Sequence, residues 1–311
     1  MLLVKHLRDV AHYVSGSAEF ELNESALRSW AYPVSFEFTL EHETRFYSPK
    51  DAAGLPLRVY KSVGSQYNPT RIAAYGLAHF NRYLASSGSE CRETFMKTAD
   101  WFAAAGDGRW SYHFDWNDLN APWISCMTQG QGISVLARAY HLTGEAKYLE
   151  SARMALTPLR RPLSMGGVRS RLDDASEFLE EYPSSAPVHV LNGFLFALIG
   201  IYDLMRLEPG FGPSAGFDEL VQSLESNIGK WDLGYWSAYD VSTGAYGIRN
   251  ATTMAYHRLH ITQLRFLGTM LNRAVLRDTA DRWDAQSKSV AHRLRALASK
   301  LLYRSLVRTQ R

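Results

Sequence analysis

Hydrophobic and polar positions follow two different rhythms along the chain. Near the N-terminus, residues 34–40 and 55–60 alternate between apolar and polar side chains, and Pro49, Asp51 and Gly54 lie between the two segments. A period of two is the pattern of a half-buried strand, and the intervening residue types favour turns. These segments therefore predict a β-hairpin or two short strands ahead of the rest of the chain.

From Asn68 onward the period lengthens to that of an α-helix, and a unit of helix, turn and helix repeats about four times. The units begin near Gly76, Gly132, Gly193 and His260, and the last consists of helices over residues 260–275 and 279–298. Paired amphipathic helices cannot bury their apolar faces alone, so stacked units predict a mainly α fold, an incomplete (α/α) barrel or toroid. We expect residues 1–66 to form an N-terminal helix and β-hairpin segment, and residues 67–311 to form the barrel domain.

Composition narrows the class of protein. A chain of 311 residues that is 46% hydrophobic can bury a large core, which excludes disorder as its main state. The net charge of +3 is too small to indicate a nucleic-acid partner. The apolar stretches are interrupted by polar residues, so we expect no membrane span. After Asp284 every charged residue is basic, which indicates either a solvated helix face or attraction to an anionic polymer or membrane surface. These basic residues are Lys288, Arg293, Arg295, Lys300, Arg304, Arg308 and Arg311.

The cysteines and the N-terminus bear on the compartment. Cys91 and Cys126 are too few for a disulfide framework and lack metal-site spacing. Residues 1–9 carry charges where a signal peptide needs its apolar run. We therefore expect a cytoplasmic protein.

Two loops between helices are rich in aromatic and polar residues, at 110–116 and 231–236. Aromatic faces pack on the C–H surfaces of sugars while polar groups bond hydroxyls, so this composition suits a sugar-binding cleft. Ordinary core or interface aromatics explain it equally well.

Glu180, Glu181 and Tyr182 carry residue types that acid–base chemistry needs. They close a predicted helical stretch, ahead of an apolar helix expected over residues 188–204. Adjacent carboxylates can raise one another's pKa, which suits a general base near neutral pH. A solvated helix end before Pro183 is the alternative explanation.

A polar stripe follows on a later helix. Tyr256, His260 and Gln263 have i, i+4 and i+7 spacing and share a face, with His257 beside them. Such a stripe indicates a cleft or a buried network. Because no third ligand accompanies the two histidines, we interpret them as core or substrate-binding residues and predict no metal site.

Five sequence blocks occur in an order that matches a known family. They are YNPTRIAAYGL at 67–77, SCMTQGQGIS at 125–134, EYP at 181–183 with VLNGF at 190–194, IYDL at 201–204, and the tyrosine motifs at 239–240 and 256–264. Together they resemble the C-terminal helical domain of the glucuronyl C5-epimerases, which modify heparosan and heparan sulfate. The resemblance implies inversion of carbon 5 of D-glucuronic acid to L-iduronic acid in an acidic polysaccharide held in the barrel cleft.

The resemblance also implies catalytic roles for Glu181, Tyr182, Tyr239 and Tyr256. Glu181 would remove the proton from carbon 5, and Tyr256 would deliver one to the opposite face. Donors aimed at the substrate carboxylate would stabilise the carbanion, and Tyr182, Tyr239, His257 and Asn192 are candidates. The full set of predicted substrate contacts is Tyr67, Asn68, Gln129, Gln131, Asn192, Arg249, His257 and His260.

The chain departs from the family pattern at Asp240, where a basic residue is expected. Arg249 or Arg258 would then have to neutralise the substrate carboxylate. No redox cofactor is needed for this chemistry, and no dinucleotide-binding loop is present. Only about sixty residues precede the helices, and the hairpin among them is expected to support a homodimer or to close the cleft.

Two other functions are compatible with these residues. A uronate polysaccharide lyase abstracts the same proton and then expels the substituent on carbon 4, and an (α/α) toroid suits either enzyme. A non-catalytic protein that binds acidic polysaccharide would keep the cleft without productive geometry. A double bond in the product would identify the lyase.

Overall fold

The computed structural model describes residues 10–17, 19–243 and 247–306. The predictions made for residues 1–9, and the basic residues Arg308 and Arg311, lie outside these described residues. Most of the described chain is helical, as the mainly α prediction requires, and residues 10–15 form a helical turn. The helices that follow are α1 (Glu37–Glu41), α2 (Glu43–Tyr47), α3 (Pro69–Ser86), α4 (Ser89–Ala103), α5 (Cys126–Thr143), α6 (Ala146–Met154), α7 (Leu156–Arg160), α8 (Leu191–Leu207), α9 (Phe211–Ala215), α10 (Phe217–Asn227), α11 (Met254–Met270), α12 (Ala274–Lys288) and α13 (Val290–Leu306).

Short strands lie between some of the helices. They form three separate two-stranded antiparallel sheets. The pairs are β1 (Leu57–Tyr60) with β2 (Gly64–Tyr67), β3 (Arg169–Arg171) with β4 (Glu177–Leu179), and β5 (Ala238–Thr243) with β6 (Arg249–Ala251). Three short 3₁₀ segments, Glu24–Leu27, Leu163–Met165 and Ile228–Trp231, complete the elements.

Successive helices pair as the repeat predicts. Helix α3 packs on α4, α5 on α6, α8 on α10, and α11 on α12, while α3, α5, α8 and α11 contact one another in sequence. The interface of α5 and α8 brings two backbones together, since a Cβ on Gly130 would lie 2.3 Å from the Phe196 carbonyl oxygen. A Cβ on Gly200 would lie 2.2 Å from the Gly130 carbonyl oxygen. Closure of these pairs into a toroid stays a prediction.

Several predicted elements were wrong. Residues 34–40 do not form one strand, because helix α1 begins at Glu37 with Phe36 as its N-cap and buries Thr39 and Leu40, while Val34 makes an isolated bridge with Leu22. The segment before Glu180 is strand β4 rather than a helix. The fourth repeat is divided differently, since α11 ends at Met270 and the long second helix is interrupted at Ser289. The strand predicted over residues 55–60 does occur as β1, but its partner is β2 at Gly64–Tyr67 and not the segment 34–40.

The N-terminal segment shares the core of the helices. Arg138 on α5 and Asp203 on α8 form a fully buried ion pair with Nη1 and Oδ2 2.6 Å apart. The same guanidinium donates to the carbonyl oxygens of Trp30 and Ala31. Burying a charge is costly unless it is paired and hydrogen-bonded, and this pair satisfies both conditions. The domain boundary at residue 66 stays a prediction.

The length and hydropathy of the described helices bear on whether they could cross a membrane. None of those within residues 10–17, 19–243 and 247–306 has the length and hydropathy needed to cross a lipid bilayer.

Candidate active site

An open cavity lies where the β1–β2 hairpin, the N-terminal ends of α3 and α5, and the segment after β4 meet. It brings together residues that are far apart in sequence, including the predicted Glu181, Tyr182 and Tyr256. The complete lining is Tyr60, Asn68, Thr70, Tyr112, Phe114, Trp116, Trp123, Ser125, Met127, Glu181, Tyr182 and Tyr256. Among the residues that the structure describes, no lysine or arginine belongs to this lining.

Glu181 is held against the N-terminal turn of α8. Its side chain is only 7% exposed, and its Oε2 accepts a hydrogen bond from Asn192 Nδ2 at 3.1 Å. Gly193 makes this position possible, because a Cβ there would lie 2.7 Å from both Cβ and Oε2 of Glu181. The carboxylate is therefore oriented by the start of a buried helix and faces the cavity.

Tyrosines surround this carboxylate. The hydroxyl of Tyr239, on β5, donates to Glu181 Oε1 over a long 3.4 Å. The ring of Tyr239 meets that of Tyr256 edge-on, with centroids 5.6 Å apart. Tyr256 follows the N-cap of α11, Thr253, and is 38% exposed. The structure thus brings all four predicted catalytic residues together.

The same physical causes act on two of these phenols. Burial, and then the nearby Glu181 carboxylate, hold the pKa of Tyr182 and that of Tyr239 well above their usual range. Both hydroxyls are therefore protonated donors at neutral pH. We call Glu181, Tyr182, Asn192, Tyr239 and Tyr256 the cavity cluster.

An aromatic wall forms the other side of the cavity. The loop after α4 folds back on itself through bridges between Tyr112 and Trp123 and between Trp116 and Leu119. The rings of Tyr112 and Trp123 stack with centroids 4.1 Å apart. Tyr60 of β1 packs on Phe114 at 4.4 Å, so the hairpin closes this side of the cavity.

Hydroxyl and amide groups fix the edge of the wall. Asn68 caps α3 by accepting from the Arg71 N–H at 2.9 Å, and its Nδ2 donates to the Tyr60 hydroxyl at 2.7 Å. Thr70 lies 2.7 Å from the hydroxyl of Tyr112 and the same distance from that of Thr128. Asn68 therefore lines the cavity as predicted.

Other predicted contacts lie elsewhere. His257 and His260 are 0% exposed. His257 Nε2 lies 3.0 Å from the Trp283 carbonyl oxygen, so it donates, and Nδ1 accepts from the Ser237 N–H. His260 Nδ1 lies 3.1 Å from Ser237 Oγ. We call Ser237, Thr252, His257 and His260 the histidine cluster.

Burial keeps both imidazoles neutral. It holds the pKa of His257 well below its usual range and lowers the pKa of His260 to about 3. The rings lie among tryptophans, and the centroid of the His257 ring is 3.6 Å from that of the Trp236 ring. Neither histidine reaches the cavity, which corrects their assignment as substrate contacts.

The two predicted glutamines also serve the protein interior. Gln129 is fully buried, accepts from the Trp110 N–H, and donates to the carbonyl oxygens of Gly108 and Ala155. Gln131 is 1% exposed and lies outside the cavity lining. Their hydrogen-bonding groups point into a packed helix interior, where no polysaccharide can reach.

The remaining predicted contacts are displaced from the cavity. The Tyr67 hydroxyl donates to Asp51 Oδ2 at 2.6 Å. Arg249 donates to the carbonyl oxygens of Lys230 and Asp240, and Arg258 is paired with Asp284. Neither arginine lines the cavity, so the expected neutralisation of substrate charge by these two residues is not supported.

Glu180 and Glu181, although adjacent, have different partners. Glu180 is fully buried, and its Oε1 lies 2.6 Å from His189 Nδ1 and accepts from Ser170. Glu180 therefore ties β3 to the segment before α8. Only Glu181 lines the cavity.

Some lining residues were not predicted. Thr70, Ser125 and Met127 lie inside the sequence blocks that carry the family resemblance, so a signal was present. Tyr60 and Trp123 had no comparable signal, because their position depends on packing of the hairpin against the loop. Within the described parts of the chain, no group of three or more His, Cys, Asp or Glu side chains could hold a metal ion.

Comparisons with known proteins agree with the family resemblance of the sequence blocks. The profile of the family described as D-glucuronyl C5-epimerase C-terminus matches residues 105–285. The chain is 35% identical over 210 residues to the D-glucuronyl C5-epimerase of Caenorhabditis elegans. The aligned region covers 61% of this chain and 34% of that protein. It is 29% identical over 163 residues to an uncharacterized protein of Methanocaldococcus jannaschii, covering 51% of each. The chain thus spans about a third of the first relative and about half of the second.

Proposed function

The chain belongs to the D-glucuronyl C5-epimerase family, and from that premise we propose that it inverts carbon 5 of glucuronic acid residues in an acidic polysaccharide. The observation that carries the proposal is the convergence of Glu181, Tyr182 and Tyr256 at one cavity, with Tyr239 directly behind them in contact with Glu181 and Tyr256. The product of such an inversion is an L-iduronic acid residue. Heparosan or a related uronan is the substrate class.

The chemistry needs a base and an acid on opposite faces of the sugar. The carbon 5 proton lies α to a carboxylate and is weakly acidic, so Glu181 removes it and becomes a carboxylic acid. Tyr256 then gives its hydroxyl proton to the other face of carbon 5 and becomes a phenolate. Proton exchange with solvent restores both groups, and the exposure of Tyr256 allows that exchange.

The cavity cluster supplies the stabilisation that the carbanion requires. Negative charge spreads from carbon 5 into the substrate carboxylate as the proton leaves. Tyr182 and Tyr239 have raised pKa values and stay protonated, so both can donate to that carboxylate. Donors that strengthen their bonds as charge develops accelerate the reaction more than they tighten ground-state binding.

The walls of the cavity suit a polysaccharide. Tyr60, Phe114 and Trp116 offer aromatic faces for the C–H surfaces of sugar rings. Positive charge lies just outside the lining, because Arg58 shares a face of β1 with Tyr60 and Arg71 follows the α3 cap. Neither arginine has a carboxylate partner within the described residues. They therefore favour an anionic polymer beside Tyr60.

The test is incubation with heparosan and N-sulfated heparosan in deuterated water, followed by NMR at carbon 5. Wild-type protein should incorporate deuterium and form iduronate. Glu181→Gln and Tyr256→Phe should each lose inversion by about 10²–10⁴-fold, the usual contribution of a general acid or base. Glu150→Gln, at an exposed glutamate on α6, serves as the matched control and should match wild type.

Each of the other possible outcomes would indicate a different function or mechanism. An unsaturated product would identify a lyase, because the same proton abstraction would then be followed by loss of the carbon 4 substituent. Exchange without inversion would keep Glu181 as the base and reject Tyr256 as the opposing acid. Absence of exchange on every uronan tried would leave a protein that binds acidic polysaccharide without acting on it.

A further inference from the structure

The β5–β6 hairpin, which carries Tyr239, has an irregular backbone ladder. Ala238 pairs with Ala251 and Thr243 with Arg249, but the register shifts between them. Tyr239 and Asp240 lie within this shifted region. Regular main-chain pairing therefore cannot by itself fix the phenol, and side-chain contacts must contribute to its position.

Asp240 anchors the strand from the side opposite the cavity. Neighbouring strand residues point to opposite faces, so Asp240 points away while Tyr239 reaches Glu181. Asp240 is 4% exposed, its Oδ1 accepts from the N–H of Ser242 at 3.1 Å, and its Oδ2 accepts from Asn250 Nδ2 at 2.9 Å. A buried carboxylate this close to Tyr239 needs a compensating positive charge.

Lys300, on α13, lies next in this chain of contacts. Its Nζ donates to Asn250 Oδ1 at 2.7 Å, and its side chain is buried. Burial raises the pKa of the Asp240 carboxyl, and the hydrogen bonds from Ser242 and Asn250, together with a smaller contribution from the Lys300 ammonium, act in the opposite direction. Asp240, Asn250 and Lys300 thus form one buried network between Tyr239 and the C-terminal helix.

The helical turn near the N-terminus supports the same hairpin. The Tyr13 hydroxyl donates to the Thr252 carbonyl oxygen at 2.6 Å, directly after β6. Arg293 of α13 in turn donates to the Tyr13 carbonyl oxygen at 2.8 Å. Tyr13, Arg293 and Lys300 all lie outside residues 105–285, the part that matches the family profile. Part of the support of the hairpin that carries Tyr239 therefore comes from outside the family-matching region.

We propose that Lys300 is a positioning residue, which acts through Asn250 and Asp240 to hold Tyr239 in place against Glu181. Its kinetic consequence rests on the proposed epimerase function, whereas the contact itself does not. Without the ammonium, Asp240 would be buried with less compensating charge and would draw the irregular strand toward other donors. A misplacement of about 1 Å at a reacting group can cost about 10²-fold in rate.

Lys300→Met tests this role, because methionine keeps most of the apolar stem and removes the charge. We expect kcat to fall at least about tenfold with little change in KM, since Tyr239 acts in the transition state. Lys288→Met, at an exposed lysine on α12, is the matched control and should leave kcat unchanged. Adding Asp240→Asn to Lys300→Met should recover part of the loss, because no buried carboxylate then lacks its cation.

A second readout is independent of activity. A 3-fluorotyrosine placed at position 239 should change its ¹⁹F chemical shift in Lys300→Met and not in Lys288→Met. A lower thermal midpoint for Lys300→Met, with kcat and the fluorine signal both unchanged, would overturn the proposal. A loss of kcat with a silent fluorine signal would also overturn it. Should wild type act on no uronan while the fluorine signal responds, the epimerase function fails and the positioning contact stands.

Discussion

The cavity cluster and the histidine cluster are neighbours in sequence and in space, yet they do opposite things. Ser237 precedes Tyr239 by two residues, and His257 directly follows Tyr256. Glu181, Tyr182 and Tyr256 open onto the cavity, whereas His257 and His260 are sealed among Trp236 and Trp283. Polar residue types alone therefore do not identify the site.

Burial acts on both clusters with opposite chemical results. It raises the pKa of Tyr182 and Tyr239, which leaves protonated phenols that can donate to an anion. It lowers the pKa of His257 and His260, which leaves neutral imidazoles that each keep a single N–H at pH 7. We expect the cavity cluster to govern rate and the histidine cluster to govern stability.

His257→Phe should have the largest effect on stability. The substitution leaves the buried Ser237 N–H without its acceptor, at about 1–3 kcal/mol for an unsatisfied group, and removes the donation of the imidazole to the Trp283 carbonyl oxygen. The free energy of unfolding, measured in urea, should therefore fall by about 1–3 kcal/mol. The kcat of the remaining folded protein should change far less. A large loss of kcat with normal stability would erase the distinction between the clusters.

Gly193→Ala should have the converse effect. The new Cβ would lie 2.7 Å from Oε2 of Glu181, so the carboxylate must move away from its bond with Asn192. We expect kcat to fall about 10²-fold, which corresponds to about 2.7 kcal/mol. Gly106→Ala is the matched control, because no atom lies within 4 Å of the Cβ that it would add. An unchanged kcat would mean that Glu181 is free to relax.

The sequence predicted the repeated helix pairs because their periodicity extends over long segments. It failed for residues 34–40, where a short run satisfies both a strand pattern and the helical spacing of Phe36, Thr39 and Leu40. Short patterns of this kind are decided by tertiary packing. Strand β4 was missed for the same reason.

The site shows a similar division. Glu181, Tyr182, Tyr239 and Tyr256 came from sequence motifs, and the structure brings them together. Tyr60 and Trp123 could not be predicted, since their side chains meet only when the hairpin packs on the distant loop. Gln129 and His257 were misassigned because the sequence does not distinguish a polar helix residue that binds substrate from one that hydrogen-bonds to the protein backbone.

Asn192→Leu should sharpen the comparison at a smaller scale. Leucine has a similar size but cannot donate to Glu181 Oε2, the contact made at 3.1 Å. We expect kcat to fall about tenfold, near the lower end of the about 1.5–3 kcal/mol that hydrogen bonds to charged groups contribute. Measurement of kcat and KM should place the loss in kcat. A change confined to KM would assign Asn192 to substrate binding alone.

The pH dependence of stability also separates the two clusters, through the buried imidazole of His260. Its folded-state pKa is about 3, below the ordinary value of 6.5. Between pH 6.5 and about 3 the unfolded chain therefore binds a proton that the folded protein does not. Stability should be fully present above pH 6.5 and should fall, by up to about 1.4 kcal/mol per pH unit for this group, as the pH drops through that window.

His260→Asn isolates this term, because asparagine places a polar atom near the former Nδ1 position and does not titrate. Urea unfolding at pH 7.5, 6 and 5 should show wild type more stable at the highest pH, with the difference narrowing as the pH falls. His113→Asn, at an exposed histidine in the loop after α4, should leave the wild-type slope unchanged. Carboxylates contribute equally to wild type and to both variants, so they cancel in the differences. A constant difference for His260→Asn would mean that the imidazole gains a proton in the folded state, and the histidine cluster would then be open to water as Tyr256 is.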